Sequence, residues 1–374
     1  MPLIAHELIK IELSGSSYEI GLGHGQLLAP QIVDQLTIYR DLFQEACKFD
    51  WLTVRSVAAA FKESIARLAP HLLQEMQGIA DGVRSRADPG VDLLDIVAMN
   101  ARSEIALGQW DDGCTALAWK IRSTGVHKQI LAQNWDWRDG VGKNLALASV
   151  DAPGKPKIYM VIEPGIVGKI GFNSASVGVC LNAIRARPIS TELLPIHLLL
   201  RIALECDSVD TAITSIEALG GAASSQHILI ADKDSARGLE LSPRGGFYLK
   251  EDENGVLAHT NHFLENNLVD EPPWLSGSPI RLERAKAICG ELMEELGMQR
   301  LGEVDGEMLR KRLFADTTNS PQAICCSPDP SRAARIQTLF NIVMTFDPAR
   351  EPSAEVIFGK PGSGEESAVY QMPW

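Results

Sequence analysis

A layered α+β fold is the class this 374-residue chain predicts, and three observations predict it. The first hundred residues carry apolar side chains at helical spacing. From Cys114 to about Ala183 the pattern changes to short alternating runs with turn residues between them. The remainder returns as strands interrupted by pairs of helices. Without regular β-α-β alternation, such an order favours a layered α+β fold over a doubly wound sheet.

A short strand is expected around Lys10–Leu13. Pro30, suited to a first helical turn, opens a helix carrying Ile32, Val33, Leu36, Tyr39 and Phe43. A second helix runs from about Thr53 to Leu68 with Val57, Phe61 and Ile65 on one stripe, and Pro70 starts a third with Leu72, Met76, Ile79 and Val83. Asp88-Pro89-Gly90 breaks the chain before a fourth, Asp92 to about Leu107. The texture changes at Asp111. Beyond the first strand block, helices are expected at Leu193–Glu205 and Val209–Leu219. Strands follow at Gln226–Ala231, Arg237–Leu241, Gly246–Lys250 and Gly255–His259. Helices at Ile280–Leu296 and Gly306–Phe314 precede strands at Arg335–Phe346 and Ala354–Phe358.

Apolar residues make up 45% and charged residues 22% of the chain, as in soluble globular proteins. A net charge of −13 argues against a nucleic-acid partner, whose phosphates call for clustered Lys and Arg. No run of about 18 apolar residues is present, so no membrane span is expected. The first residues lack the basic and apolar regions of a signal peptide, and Met372-Pro373-Trp374 is not a Ser-Lys-Leu type of address. Seven scattered cysteines show neither a disulfide framework nor zinc spacing, which suits a reducing, cytoplasmic compartment. No cofactor is expected. Gly21-Leu22-Gly23-His24-Gly25 lacks the third glycine of a dinucleotide loop, and His24 reads as a structural residue at a turn. His259 and His262 have no carboxylate beside them in the sequence to complete a metal set. Cys325-Cys326, Trp135 and Trp137 read first as core, although the tryptophans could line an acyl pocket.

The chemistry lies at Gly113-Cys114, where the helical block meets the strands. Glycine tolerates the strained backbone that would bring its carbonyl against the next thiol. An N-to-S acyl shift followed by hydrolysis would cut the chain there. Cys114 would then carry a thiol and an α-amine, and an amine that ordinarily titrates at about 7.7–8.0 can accept the thiol proton. The alternative is a buried cysteine acting as a small hydrophobe. Cys114–Trp119 and Ile130–Trp137 form a hairpin, and symmetry about Gly125 would put Asp136 opposite Cys114 on the same face, with Cβ atoms about 4.5–5.5 Å apart. A carboxylate there would orient the new ammonium.

Asp112-Gly113-Cys114-Thr115, Gln133-Asn134-Trp135-Asp136, Gly168-Lys169-Ile170-Gly171-Phe172-Asn173-Ser174-Ala175, His259-Thr260-Asn261-His262 and Thr338-Leu339-Phe340-Asn341-Ile342 occur in one order. Together they resemble the acyl-coenzyme A:6-aminopenicillanic acid acyltransferase (isopenicillin N acyltransferase) family, with weaker similarity over nearly the whole chain. The resemblance implies an αββα sandwich of the N-terminal-nucleophile hydrolase type. It also implies a precursor that cuts itself into a helical α chain, 1–113, and a β chain, 114–374, which together form one structural unit. By position, Cys114 matches the nucleophile, Asp136 the acid near it and Asn261 the oxyanion-hole residue. Arg335 falls where the family has its site arginine; from the start of its strand it could position Asp136 or a substrate carboxylate. Ala116 departs from the family, which has a second hydroxyl residue there.

The reaction expected is hydrolysis or transfer of an acyl group at an amide of a small peptide-like or N-acyl metabolite through a Cys114 thioester. The partners are then a small-molecule acyl donor and an amine or water acceptor. Coenzyme A thioesters would enter as substrates. The alternatives are a coenzyme A-dependent N-acyltransferase of the penicillin type, a non-catalytic ligand-binding relative with an intact chain, and a histidine-based metallohydrolase.

Overall fold

The structure, a computed structural model, describes residues 8–106, 113–273, 277–332, 335–362 and 368–374. Asp111, where the sequence changes texture, and the expected helix end near Leu107 lie outside these residues.

Strand β1 (Lys10–Ser14) leads into α1 (Ser17–Leu27), α2 (Ala29–Leu42), α3 (Trp51–Leu68), α4 (Pro70–Arg86), α5 (Leu93–Asn100) and α6 (Arg102–Ile105). Local chemistry sets their starts. Ser16 and Glu19 form a reciprocal capping box on α1, Asp50 accepts from the Thr53 N–H at the start of α3, and Asp92 boxes with Asp95 on α5.

Helix α1 replaces the turn expected around His24. Its glycines serve close helix packing: a Cβ on Gly21 would lie 1.9 Å from the Glu75 carbonyl oxygen, and one on Gly25 would lie 2.2 Å from that of Ile79. Gly78 and Gly82 answer from α4. Burial between two helix backbones outweighs the usual reluctance of glycine to be helical. His24 is buried, and its Nε2 accepts from the Gly165 N–H at 2.9 Å.

The strand block contains β2 (Gly113–Ser123), β3 (Val126–Arg138), α7 (Asp139–Gly142), β4 (Ala146–Asp151), β5 (Ile158–Ile162), β6 (Gly171–Asn173) and β7 (Gly178–Ala183). Helices α8 (Ile196–Leu204) and α9 (Val209–Ala218) precede β8 (Gln226–Ala231), β9 (Ala236–Ser242), β10 (Gly245–Lys250) and β11 (Val256–His259). Then come α10 (Ser278–Arg300), α11 (Gly306–Leu309), β12 (Ile336–Phe346), β13 (Ser353–Phe358) and β14 (Tyr370–Met372), the last not expected from the sequence. One eight-stranded sheet has the order β1-β4-β5-β6-β7-β8-β9-β10, and a six-stranded sheet has the order β11-β2-β3-β12-β13-β14. Among the described residues the strand pairings in both sheets are antiparallel except β1 with β4.

The sheets pack face to face through β2 and β3 against β7 and β8, with α8 on the outside of the larger sheet and α10 on the outside of the smaller. The order is therefore α-β-β-α, with the N-terminal helices beside it. Alternation in β2 divides its side chains between two cores. Cys114, Ala116 and Ala118 face the inter-sheet core, while Leu117, Trp119 and Ile121 face Leu282, Ile288 and Leu292 of α10. Among the described residues no helix is long and apolar enough to cross a membrane.

Candidate active site

Cys114 is the second residue of β2 and is 3% exposed. The hairpin that carries it is not symmetric about Gly125. Ser123 pairs with Val126, so only Thr124 and Gly125 form the turn, and Gly125 takes the positive φ (75°) that suits glycine. The register is one residue away from that expected: Cys114 pairs with Trp135, and Gly113 pairs with Asp136. Because side chains alternate with period two, that step puts Cys114 and Asp136 on opposite faces of the sheet.

Asp136 is nonetheless at the junction. A Cβ on Gly113 would lie 2.8 Å from Asp136 Oδ2. Gly113 sits in regular strand without a positive φ, so space against the carboxylate, rather than backbone strain, calls for glycine. Thr338 Oγ1 donates to Asp136 Oδ1 at 2.6 Å and accepts from the Cys326 N–H at 3.0 Å. Burial pushes the Cys325 thiol up to about 11 and raises that of Cys326, and the Asp136 charge adds to both.

The structure does not bring Arg335 to Asp136. Its side chain is 69% exposed, and its Nε pairs with Asp139 at 3.0 Å. The cause is a bulge in β12: Thr338 pairs with Asp136 but Phe340 pairs with Trp135, which leaves Leu339 as the extra residue. Even-numbered residues before the bulge share the Asp136 face, and Phe340, Ile342 and Met344 beyond it join the inter-sheet core. Thr338 thus holds the place beside Asp136 expected for Arg335.

Asn261 lies two residues beyond His259, the end of β11, and meets Cys114 from the other side. With the Gly113–Cys114 peptide intact, the Cys114 N–H donates to Asn261 Oδ1 at 2.8 Å. Arg281 Nη2 donates to the same oxygen at 2.8 Å, and Asn261 Nδ2 donates to the Ala183 carbonyl at 3.0 Å. Two donors on the oxygen and an acceptor on the nitrogen fix which way the amide faces. Arg281 is buried on α10; its Nη1 also donates to the Cys114 carbonyl at 2.6 Å and to Thr115 Oγ1 at 3.1 Å. Asn182 Nδ2 adds a second contact to that carbonyl at 3.2 Å. Arg281 and Asn182 were not legible as site residues. The only local signal for Arg281 is its place in the first turn of a helix shortly after the His259–His262 block.

On the inter-sheet face, Trp135 stacks with Trp137, and both are core residues. The Lys169 ammonium lies 3.7 Å from the Trp135 ring centroid and 2.5 Å from Glu163 Oε1. Arg102, Tyr39 and Gln35 also donate to Glu163. Burial brings Lys169 down to about 8, with Glu163 opposing the shift.

The arrangement places a thiol beside a nitrogen held by an oriented amide, with a guanidinium on the adjoining carbonyl. Residues 123–361 match the family model described as acyl-coenzyme A:6-aminopenicillanic acid acyltransferase. Asp136, Asn261 and Arg335 lie inside that segment, and Cys114 lies ahead of it. The chain is 32% identical over 367 residues to the 40 kDa form of acyl-coenzyme A:6-aminopenicillanic-acid acyltransferase of Emericella nidulans, covering 97% of this chain and 96% of that protein. Its structure is similar to a Caenorhabditis elegans N-acylethanolamine-hydrolyzing acid amidase ortholog, with a TM-score of 0.41, 14% identity and coverage of 62% of this chain and 92% of that one. It is also similar to penicillin V acylase from Agrobacterium tumefaciens, with a TM-score of 0.38, 10% identity and coverage of 69% and 85%. A match of this length and identity shows that the chain belongs to the acyl-coenzyme A:6-aminopenicillanic acid acyltransferase family and is an enzyme.

Proposed function

We propose that the chain cuts itself between Gly113 and Cys114 and then uses Cys114 to hydrolyse or transfer the acyl group of a small peptide-like or N-acyl amide. The observation that carries this reading is the 2.8 Å contact from the Cys114 nitrogen to Asn261 Oδ1. That nitrogen becomes the internal base once its bond to Gly113 is gone. In self-cleavage, Cys114 Sγ attacks the Gly113 carbonyl carbon. A thioester replaces the peptide bond, and the departing nitrogen takes a proton. Water then opens the thioester, leaving the Gly113 carboxylate and restoring the thiol.

In turnover, the α-amine takes the thiol proton as sulfur bonds to the substrate carbonyl carbon. The oxyanion is met by an Asn261 Nδ2 hydrogen, a type of contact whose loss costs about 2.7–4 kcal/mol. The leaving amine takes the proton as the C–N bond breaks. Water or an acceptor amine attacks the thioester, and the thiol is restored. Arg281 fixes the Asn261 amide. The α chain, 1–113, stays bound after cleavage, a reading supported by the buried Arg102–Glu163 pair (2.6 Å) and by the His24–Gly165 hydrogen bond.

A denaturing gel and intact mass test the reading. Wild-type protein should yield a chain beginning at Cys114, and Cys114→Ala should yield neither fragment nor turnover. A Cys114→Ala protein that still splits there refutes it.

The full-length similarity to a named acyltransferase favours a second reading, acyl transfer from coenzyme A thioesters to an amine. Incubating matured enzyme with an acyl-coenzyme A and an amine decides between the two. Amide formation faster than thioester hydrolysis supports transfer, and hydrolysis alone supports the amidase reading.

A further inference from the structure

His259 and Glu240 form a buried pair that the proposed mechanism leaves unused. His259 is fully buried; its Nδ1 lies 2.8 Å from the Thr260 carbonyl oxygen and its Nε2 lies 2.9 Å from Glu240 Oε1. Glu240 also accepts from three backbone N–H groups: Leu264 at 2.6 Å on Oε1, and Glu265 at 2.9 Å and Asn266 at 2.8 Å on Oε2. A carboxylate with that many donors is ionised and has no proton to give. Each ring nitrogen of His259 therefore faces an oxygen that can only accept, so each carries a hydrogen.

The adjoining ring, His227, stacks on His259 with centroids 3.4 Å apart and planes 14° apart. Asn182 uses its Nδ2 on the Cys114 carbonyl, so its Oδ1 accepts from His227 Nδ1 at 2.9 Å. Among the described residues His227 Nε2 has no hydrogen-bond partner, and it lies against Gly238, where a Cβ would come within 2.7 Å of it. His227 is therefore neutral, in agreement with burial holding it well below the ordinary histidine value and the His259 charge adding to the effect.

We propose that His259 is a positioning residue, held as an imidazolium between Glu240 and the Thr260 carbonyl, which sets the Thr260–Asn261 backbone and so aims the Asn261 amide at Cys114. The functional part of this inference rests on the reading of Cys114 and Asn261 given above. The segment is fixed at two further points: the Asn261 N–H donates to Ser278 Oγ at 2.7 Å, and Thr260 Oγ1 donates to the Ser278 carbonyl at 3.0 Å. Removing a proton from His259 would set a ring lone pair against one of its two acceptors and release one side of this frame. The same cluster reaches the Cys114 carbonyl through His227 and Asn182, so the two stacked rings serve the Cys114 carbonyl and the Asn261 amide, both of which Arg281 also holds.

The test uses full-length protein and has two arms. In ¹⁵N-edited spectra at pH 7, with His259 assigned by its loss in His259→Gln, both ring nitrogens should carry hydrogen; a single-proton tautomer overturns the proposal. In the second arm, Glu240→Gln keeps the shape of the pair but removes its charge. It should slow self-cleavage roughly 10²-fold, the effect of displacing a reacting group by about 1 Å, with near-native circular dichroism; cleavage at the wild-type rate overturns the proposal. Should Glu240→Gln not fold, the spectra of wild-type protein decide. Wild-type protein that never cleaves refutes the Cys114 mechanism instead, and the spectra still decide the protonation of His259.

Discussion

Replacing Gly113 with alanine puts a methyl group 2.8 Å from Asp136 Oδ2. Ordinary contact begins near 3.4 Å, so the carboxylate or the strand must yield by roughly 0.6 Å. The carboxylate is not at liberty to swing, because Thr338 holds Oδ1 at 2.6 Å from the next strand. A hydrogen bond to a charged group contributes about 1.5–3 kcal/mol, which bounds the strain if the bond is lost outright. Loss of glycine's unfolded-state freedom returns about 0.4–1 kcal/mol. A net cost of about 1–2 kcal/mol leaves a protein of ordinary stability folded. The same shift falls on the bond proposed to be cut, where positional errors of this order lower rates roughly tenfold to hundredfold. The assay is a time course of self-cleavage on a denaturing gel, with thermal unfolding followed in parallel. Gly113→Ala should fold and cleave slowly, and in an Asp136→Ala chain it should add little further defect, because the two residues are in contact. Were glycine needed for backbone strain instead, the two defects would add. Wild-type cleavage by Gly113→Ala, or strict additivity, refutes the steric account.

Arg281→Met should lower turnover by roughly 10²–10³ and lose most of that effect in an Asn261→Ala background, because both act on one amide; independent effects on kcat would contradict the orienting role. Arg335→Ala should change kcat and KM by less than about twofold, since its exposed pair with Asp139 is of the kind that contributes about 0–1 kcal/mol; a large loss of turnover would return Arg335 to the site. Glu205 accepts from Arg201 Nε at 3.0 Å, His71 at 3.3 Å and Lys155. Burial raises its pKa, but these partners more than offset that and bring it down from 4.5 to about 2. A carboxylate with a depressed folded pKa stabilises fully above its unfolded value, and that stability is lost as pH falls through the folded value. The contribution here is on the order of 3 kcal/mol, lost between about pH 4.5 and pH 2. Urea midpoints at pH 5 and pH 3 should therefore differ less in Glu205→Gln than in wild type, and an unchanged difference would refute the assignment.

The parts of the fold legible in the sequence are those written in local periodicity. Helices α3 and α4 announce themselves through apolar stripes and, for α4, an opening proline. Strands β8 and β12 start and stop within a residue of their apolar runs. Helix α1 was hidden because its glycines look like a loop until α4 is seen pressed against them. Strand β14 is three residues long and exists only because β13 offers an edge. Register failed for a similar reason: a turn closed by Thr124 and Val126 about Gly125 and the observed one closed by Ser123 and Val126 differ by one residue, and alternation alone does not choose between them.

The candidate site shows the same division between near and far. Cys114 and the Asn261 block could be found as residue types in a recognisable order. What organises them is distant in sequence: Arg281 and Asn182 on the Cys114 carbonyl, Thr338 on Asp136, and Glu240 on His259. The one-residue register step has a chemical consequence as well. With Asp136 behind the strand that carries Cys114, its carboxylate meets the Gly113 backbone and the Thr338 hydroxyl from the face opposite the thiol. A group so placed is suited to fixing the bond proposed to be cut, whereas proton transfer from sulfur calls for a base on the thiol's own side or on its own residue. Under the proposed mechanism Asp136 then serves self-cleavage and the amine serves turnover, so an Asp136→Asn protein should cleave slowly, while the fraction that does mature should keep most of its activity per cut chain. Loss of turnover in the matured Asp136→Asn fraction, measured against the amount of free β chain, would show that the division is wrong.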